Sequence, residues 1–196
     1  MLVGTLYGAL IVLVLGVLVP VAIMTRVPVR IFWSYVKAPW LIAFSTASSE
    51  AALPLALEQM EKMGVPKRII AFVLPTGYSF NLDDSTLYLA VASIFAAQAG
   101  GIDMPINTQL LMMRTLMRTS KGVAAVPRAS LVILSGALAM FGLPLEAVAV
   151  ILGVGAIMDM ARTSINLLGN CLATVVMARW EGEYPAHGVG ANVLAS

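Results

Sequence analysis

Asp159-Met160-Ala161-Arg162-Thr163-Ser164-Ile165-Asn166-Leu167-Leu168-Gly169-Asn170 places an acid–base pair, a hydroxyl and two amides inside a stretch that otherwise reads as a membrane-crossing helix. Counted from Asp159, the residues Arg162, Thr163, Asn166 and Asn170 stand 3, 4, 7 and 11 positions on. Those spacings gather all five on roughly one helical face. An ionisable side chain at bilayer depth is costly unless it faces protein, water or a partner charge. Such a face reads as a polar site for a substrate or an ion. The plainer alternative is an internal ion pair that locks two helices.

Composition fixes the solvent. Of 196 residues, 60% are hydrophobic and 11% charged, with a mean hydropathy of +0.92. A soluble domain carries about 25% charged residues, so the chain reads as an integral membrane protein. The net charge of +2 leaves no basic patch for nucleic acid. No nucleophile–base pair or metal-ligand set appears, so no enzyme activity, metal or cofactor is expected. The single cysteine, Cys171, excludes an internal disulfide framework and reads as a small packing residue. His187 stands alone in the tail and receives no metal role.

Residues 1–25 carry no charge, enough for about one crossing at about 1.5 Å per residue. No positive segment precedes the apolar run, so a span is favoured over a cleavable signal. The other uncharged stretches, at 38–49, 69–82, 86–101, 147–158 and 163–178, are shorter and broken by polar clusters. Residues 129–145 read as half of a hairpin with its flank. Short apolar segments punctuated in this way point to re-entrant or discontinuous helices.

Two breaks look alike. Ser45-Thr46-Ala47-Ser48-Ser49-Glu50-Ala51-Ala52-Leu53-Pro54 and Thr119-Ser120-Lys121-Gly122-Val123-Ala124-Ala125-Val126-Pro127 both read as hydroxyl-rich turns ending at proline. A polar span follows each, Asn81-Leu82-Asp83-Asp84-Ser85 after the first and the Asp159–Asn170 face after the second. A hairpin plus a polar span, twice over, is the signature of an inverted-repeat transporter. The expected architecture is an all-α membrane protein, an inverted-repeat transporter core with two re-entrant helical hairpins and broken transmembrane helices. Its parts are a helix at 1–25, a re-entrant hairpin at 38–63, a broken helix at 69–101, a second hairpin at 105–142 and a helix at 144–180. Residues 1–183 form one transport-domain fragment and 184–196 a cytoplasmic tail. Arg26, Arg30, Lys37, Lys62, Lys67, Arg68 and Arg179 then fall on one side, while the opposite connections carry Asp103 and Glu146. The positive-inside rule makes the first side, and the C-terminus, cytoplasmic. Lys62, Lys67 and Arg68 read as a solvated turn.

The serine-rich tip before Ala52-Leu53-Pro54, the run Pro75-Thr76-Gly77-Tyr78-Ser79-Phe80-Asn81-Leu82-Asp83, Thr119-Ser120-Lys121-Gly122, and Asp159-Met160-Ala161-Arg162-Thr163 with Asn166 together resemble the dicarboxylate/amino acid:cation symporter family. The look is that of its bacterial proton–glutamate members. The resemblance covers the C-terminal portion of a family member. The earlier helices, which supply the scaffold of the family's homotrimer, have no counterpart in it.

The resemblance implies symport of L-glutamate or L-aspartate across a bacterial inner membrane. Arg162 should take the side-chain carboxylate through its bidentate fork, and Asp159 the α-ammonium. Asn166 and Ser49, with backbone N–H groups at the two hairpin tips, should hold the α-carboxylate, and Thr163 and Ser48 belong to the same substrate-binding set. Ser85 should face the substrate, and Val126 and Pro127 belong to the outer gate. Asn81, Asp83, Asn170 and Glu50 fall at cation- or proton-coupling positions, with H+ favoured over Na+ because Asn170 replaces an acidic ligand. A C4-dicarboxylate carrier and a truncated, non-transporting relative that acts as a binding or assembly subunit are the alternatives. Four departures are notable. Asp84 and Arg128 stand where the family pattern has glycine, and Arg114 and Arg118 lie in a hairpin arm that is apolar in relatives. Buried without partners, these charges are expected to be destabilising.

Overall fold

The computed structural model describes residues 2–80, 83–119, 129–143 and 146–184, side chains excepted at 79–80, 83–87, 119, 129–133, 146–147 and 150. Among these residues every regular element is a helix. Among the described residues, two helices are long and apolar enough to cross a membrane, Leu2–Met24 and Ile151–Trp180. The chain divides into two compact units, residues 1–10 with 82–162, and residues 11–81 with 163–196.

The first span is α1 (Leu2–Leu13), a π-helical segment (Val14–Leu18) and α2 (Val19–Met24). Pro20 has no N–H, and its ring would collide with the carbonyl four residues back. The wide π turn resolves this conflict by moving the Val19 N–H to the Val14 carbonyl, five residues away. The helix therefore passes a proline without ending.

In the second unit, α3 (Val29–Thr46) and α4 (Ser49–Lys62) form a helical hairpin. Phe32, Val36, Pro39 and Ala43 are its buried stripe on α3, and Ala52, Ala56 and Met60 the stripe on α4. Small residues four apart let two backbones approach closely. The first arm starts at Val29 rather than at residue 38, because Arg30 and Lys37 point outward and leave the helical hydrogen bonds unbroken. The hydroxyl-rich turn is also far shorter than expected. Only Ala47 and Ser48 lie between the helices, Ser48 caps α4 by accepting the Ala51 N–H at 3.3 Å, and Pro54 lies inside α4. Pro39 likewise lies inside α3.

α5 (Lys67–Phe80) follows after a tight turn and buries Ile69, Ile70 and Leu74. The later part of α9 (Glu146–Trp180) adds Leu167, Cys171, Leu172, Val175 and Val176 to the same core. Cys171 is thus the packing residue its apolar setting predicts. One end of this unit collects several ion pairs. Lys62 pairs with Glu58 at 2.6 Å and Lys67 with Glu61 at 2.7 Å. Arg68 pairs with both Glu181 and Glu183, so this turn is ion-paired rather than merely solvated. The Arg179 guanidinium donates to the Thr25 carbonyl at 3.0 Å and lies 5.0 Å from the Tyr184 ring centre. Burial raises the Tyr184 hydroxyl above the ordinary tyrosine range, and Arg179 draws it part of the way back.

The first unit contains the start of α1, α6 (Asp83–Ala99), α7 (Ile106–Thr119), α8 (Ala129–Met140) and the early part of α9. Leu2, Leu6 and Leu10 bury one stripe of α1, and the Tyr7 hydroxyl donates to the Ile157 carbonyl of α9 at 3.1 Å. Leu89, Ala92 and Ala96 on α6, Met112 and Leu116 on α7, and Leu134 and Leu138 on α8 complete this core. Arg114 and Arg118 stand exposed on the outer face of α7. The expected cost of burying them does not arise, because the i, i+4 spacing of Met112 and Leu116 turns both arginines outward.

Met60→Ala and Leu74→Ala should each lower stability by about 2–5 kcal/mol, since both side chains are fully buried. Phe72→Ala, at a position 69% exposed, should leave the melting temperature in detergent nearly unchanged. Equal losses at all three positions would contradict this core.

Candidate functional site

In the first unit, α9 carries Asp159 and Arg162 one turn apart, and they pair at 3.2 Å with side-chain exposures of 33% and 11%. The pair lies along one helix and does not bridge two. The Arg162 guanidinium lies 4.8 Å from the centre of the Tyr88 ring of α6. That contact contributes roughly 0.5–2 kcal/mol and fixes the plane of the fork. Asp159 is the more exposed partner. The arrangement presents a carboxylate beside a guanidinium whose face is already held, which suits a ligand carrying both charges.

In the second unit, the same helix buries Thr163, Ser164, Asn170 and Thr174, with Asn166 half-buried. Thr174 returns its hydroxyl to the Asn170 carbonyl at 2.8 Å. Asn170 packs its amide oxygen onto α5 at Gly77, where an added Cβ would lie 2.7 Å from that oxygen. Only glycine admits the amide there.

The hairpin tip is also in this unit. Ser48 is committed to capping α4, Ser49 opens that helix half-buried, and Glu50 is exposed in its first turn. Thr46 returns its hydroxyl to the Ile42 carbonyl at 2.7 Å and accepts the Ser48 N–H at 3.2 Å. Ala47 takes a left-handed conformation, φ 50°, which a side chain makes unfavourable by about 1–2 kcal/mol.

Residues 1–180 match the Sodium:dicarboxylate symporter family. The chain belongs to that family. It is 48% identical over 183 residues to the proton/sodium-glutamate symport protein of Geobacillus stearothermophilus, covering 93% of this chain and 44% of the relative. It is 49% identical over 171 residues to the proton/glutamate-aspartate symporter of Escherichia coli strain K12, covering 87% and 38%. A C4-dicarboxylate transport protein of Cupriavidus taiwanensis is 42% identical over 183 residues, covering 93% and 42%. The chain thus spans less than half the length of these curated relatives. Members of the symporter family are membrane transport proteins, not enzymes.

Within this member, the structure brings together Asp159 with Arg162 in one unit, and Ser48 with Ser49 and Glu50 at one tip in the other. Asn81, Val126, Pro127 and Arg128 lie outside the described residues, as do the side chains of Asp83, Asp84 and Ser85; His187 lies outside them too. Tyr88 and Gly77 were not singled out by sequence reasoning. Tyr88 follows Ser85 by three positions, and that helical spacing is the only signal it gave. Gly77 stood in a quoted motif, but its role appears only against Asn170.

Gly77→Ala should destabilise the protein by about 1–3 kcal/mol by driving a methyl into the Asn170 amide. In an Asn170→Ala background the same change should cost less, with a coupling of about 1 kcal/mol. Strict additivity in a thermal-unfolding cycle would show that the contact is not what excludes alanine.

Proposed function

We propose that this chain supplies the substrate-recognising core of a proton-coupled symporter for acidic amino acids. The observation that carries the reading is the Asp159–Arg162 pair on α9, with Arg162 only 11% exposed and its guanidinium held over the Tyr88 ring. A dicarboxylic amino acid carries one more anionic group than a neutral one, and a planar fork binds a carboxylate through two parallel bonds. Arg162 is assigned the side-chain carboxylate and Asp159 the α-ammonium. Asn166 and Ser49 are assigned the α-carboxylate, Thr163, Ser48 and Ser85 are further substrate-binding positions, and Val126 with Pro127 are assigned the gate. The names of the glutamate and glutamate-aspartate symporting relatives support the substrate class.

In the same reading, α3–α4 and α7–α8 are re-entrant hairpins of an inverted repeat in a bacterial inner membrane, and the C-terminus is cytoplasmic. Asn81, Asp83, Asn170 and Glu50 are the coupling positions. Protons are favoured over sodium because a neutral amide at Asn170 offers a cation no charge compensation. A C4-dicarboxylate is the second reading, supported by the name of the relative from Cupriavidus taiwanensis. It has no ammonium for Asp159 to bind.

L-Aspartate should bind the purified chain in calorimetry, and succinate should compete poorly. Arg162→Ala should lose this binding, and Arg162→Lys should restore little of it, since a point charge cannot make two parallel bonds. Unchanged aspartate affinity in Arg162→Ala would overturn the assignment. Succinate displacing aspartate at equal concentration would favour the second reading.

A further inference from the structure

The charged end of the second unit does not balance. Its described acids are Glu58, Glu61, Glu181 and Glu183, and each is already paired, to Lys62, Lys67 or Arg68. Arg26, Arg30 and Lys37 are exposed and form no ion pair with a described residue.

These cations lie in an apolar setting. Arg30, Trp33 and Lys37 follow one another at i, i+3 and i+7 on the face of α3 opposite its buried stripe. Trp33 is 44% exposed, and Val29 is exposed beside it. Ile23 and Met24, just ahead of Arg26, are exposed as well. A free phosphate or a nucleic acid would gain nothing from this apolar surface. A phospholipid layer offers anionic head groups and acyl chains together, and tryptophan with lysine or arginine is the pairing that settles at that boundary.

The backbone at Arg26 is a separate observation. The turn after α2 closes with Arg26 N–H to the Ile23 carbonyl at 3.0 Å and Val27 N–H to the Ala22 carbonyl at 2.8 Å. The same two-bond closure ends α4, α6, α8 and α9, where the left-handed position is held by Gly64, Gly101, Gly142 and Gly182. After α2 that position is Arg26, at φ 54°. A conformation that glycine adopts freely is here imposed on an arginine, whose Cβ makes it unfavourable. Such a residue persists where its side chain has a use.

We propose that Arg26, Arg30, Trp33 and Lys37 form a docking surface for anionic phospholipid head groups at the α2–α3 junction. Each cation near a charged bilayer surface adds about fivefold to the preference for anionic lipid.

The test uses the full chain with Trp33 as its only tryptophan (Trp40→Phe, Trp180→Phe), reconstituted in phosphatidylcholine bilayers holding a minor fraction of phosphatidylglycerol with brominated acyl chains. Trp33 quenching should exceed that of a matched bilayer in which the same fraction of phosphatidylcholine carries the bromine. The excess should vanish in Arg26→Gln/Arg30→Gln/Lys37→Gln. It should persist in the charge-keeping Arg26→Lys/Arg30→Lys/Lys37→Arg variant and in Lys62→Gln/Lys67→Gln. Circular dichroism checks that each variant keeps its helices, and if the glutamine variant loses them, the wild-type excess and its decline with salt decide. No excess in the wild type, or an excess the glutamine variant retains, overturns the proposal. Displacement by millimolar inorganic phosphate also overturns it, as that would mark a small-anion site instead.

Discussion

Every backbone carbonyl that loses its helical partner must find a donor within the chain, because an apolar surrounding supplies none. Much of the observed detail answers to that constraint. The helix ends at Gly64, Gly101, Gly142 and Gly182 close on the same pair of backbone bonds, leaving few loose acceptors at the turns. Ser48 closes the opening turn of α4 from the other direction. The π segment before Pro20 is the same requirement met in mid-helix. With the ends closed, the hairpin of α3 and α4 can turn within two residues, and short segments can coexist with a long span.

The polar chemistry is divided between two settings. At one end of the second unit, exposed ion pairs tie α4, α5 and the end of α9 together. Pairs this exposed contribute little stability and serve mainly to hold ends in place. Along α9 the polar groups are buried, and there each contact is specific: a guanidinium on a ring, an amide on a glycine, a threonine on a carbonyl.

Much of this was legible in the sequence, and particular residues show why. The polar face of α9 could be read because helical spacing is fixed, and the span at 1–25 because charge is absent from it. The start of α3 was placed too late, at residue 38, where the uncharged stretch begins just after Lys37. Long cationic side chains reach outward without disturbing the helix that carries them. Pro54 misled for a related reason: a proline removes one bond and one donor, which a packed helix tolerates. The Tyr88 and Gly77 contacts join residues far apart in the chain, and no local pattern encodes them. Arg26 was read as one more positive charge, since nothing in a sequence reveals that its φ is positive.

The prolines inside α3 and α4 have a mechanical consequence. Pro39 lies about 10 Å from the end of α3 and Pro54 about 8 Å from the start of α4, at about 1.5 Å per residue. Each removes one rung from its helical ladder at nearly the same depth. The bending stiffness of both arms is therefore lowest at one shared level, and the segment beyond it, with Ala47, Ser48 and Ser49, behaves as a short lever on a common fulcrum. A load at the tip is resolved first at Pro39 and Pro54, and the core around Met60 and Leu74 is spared.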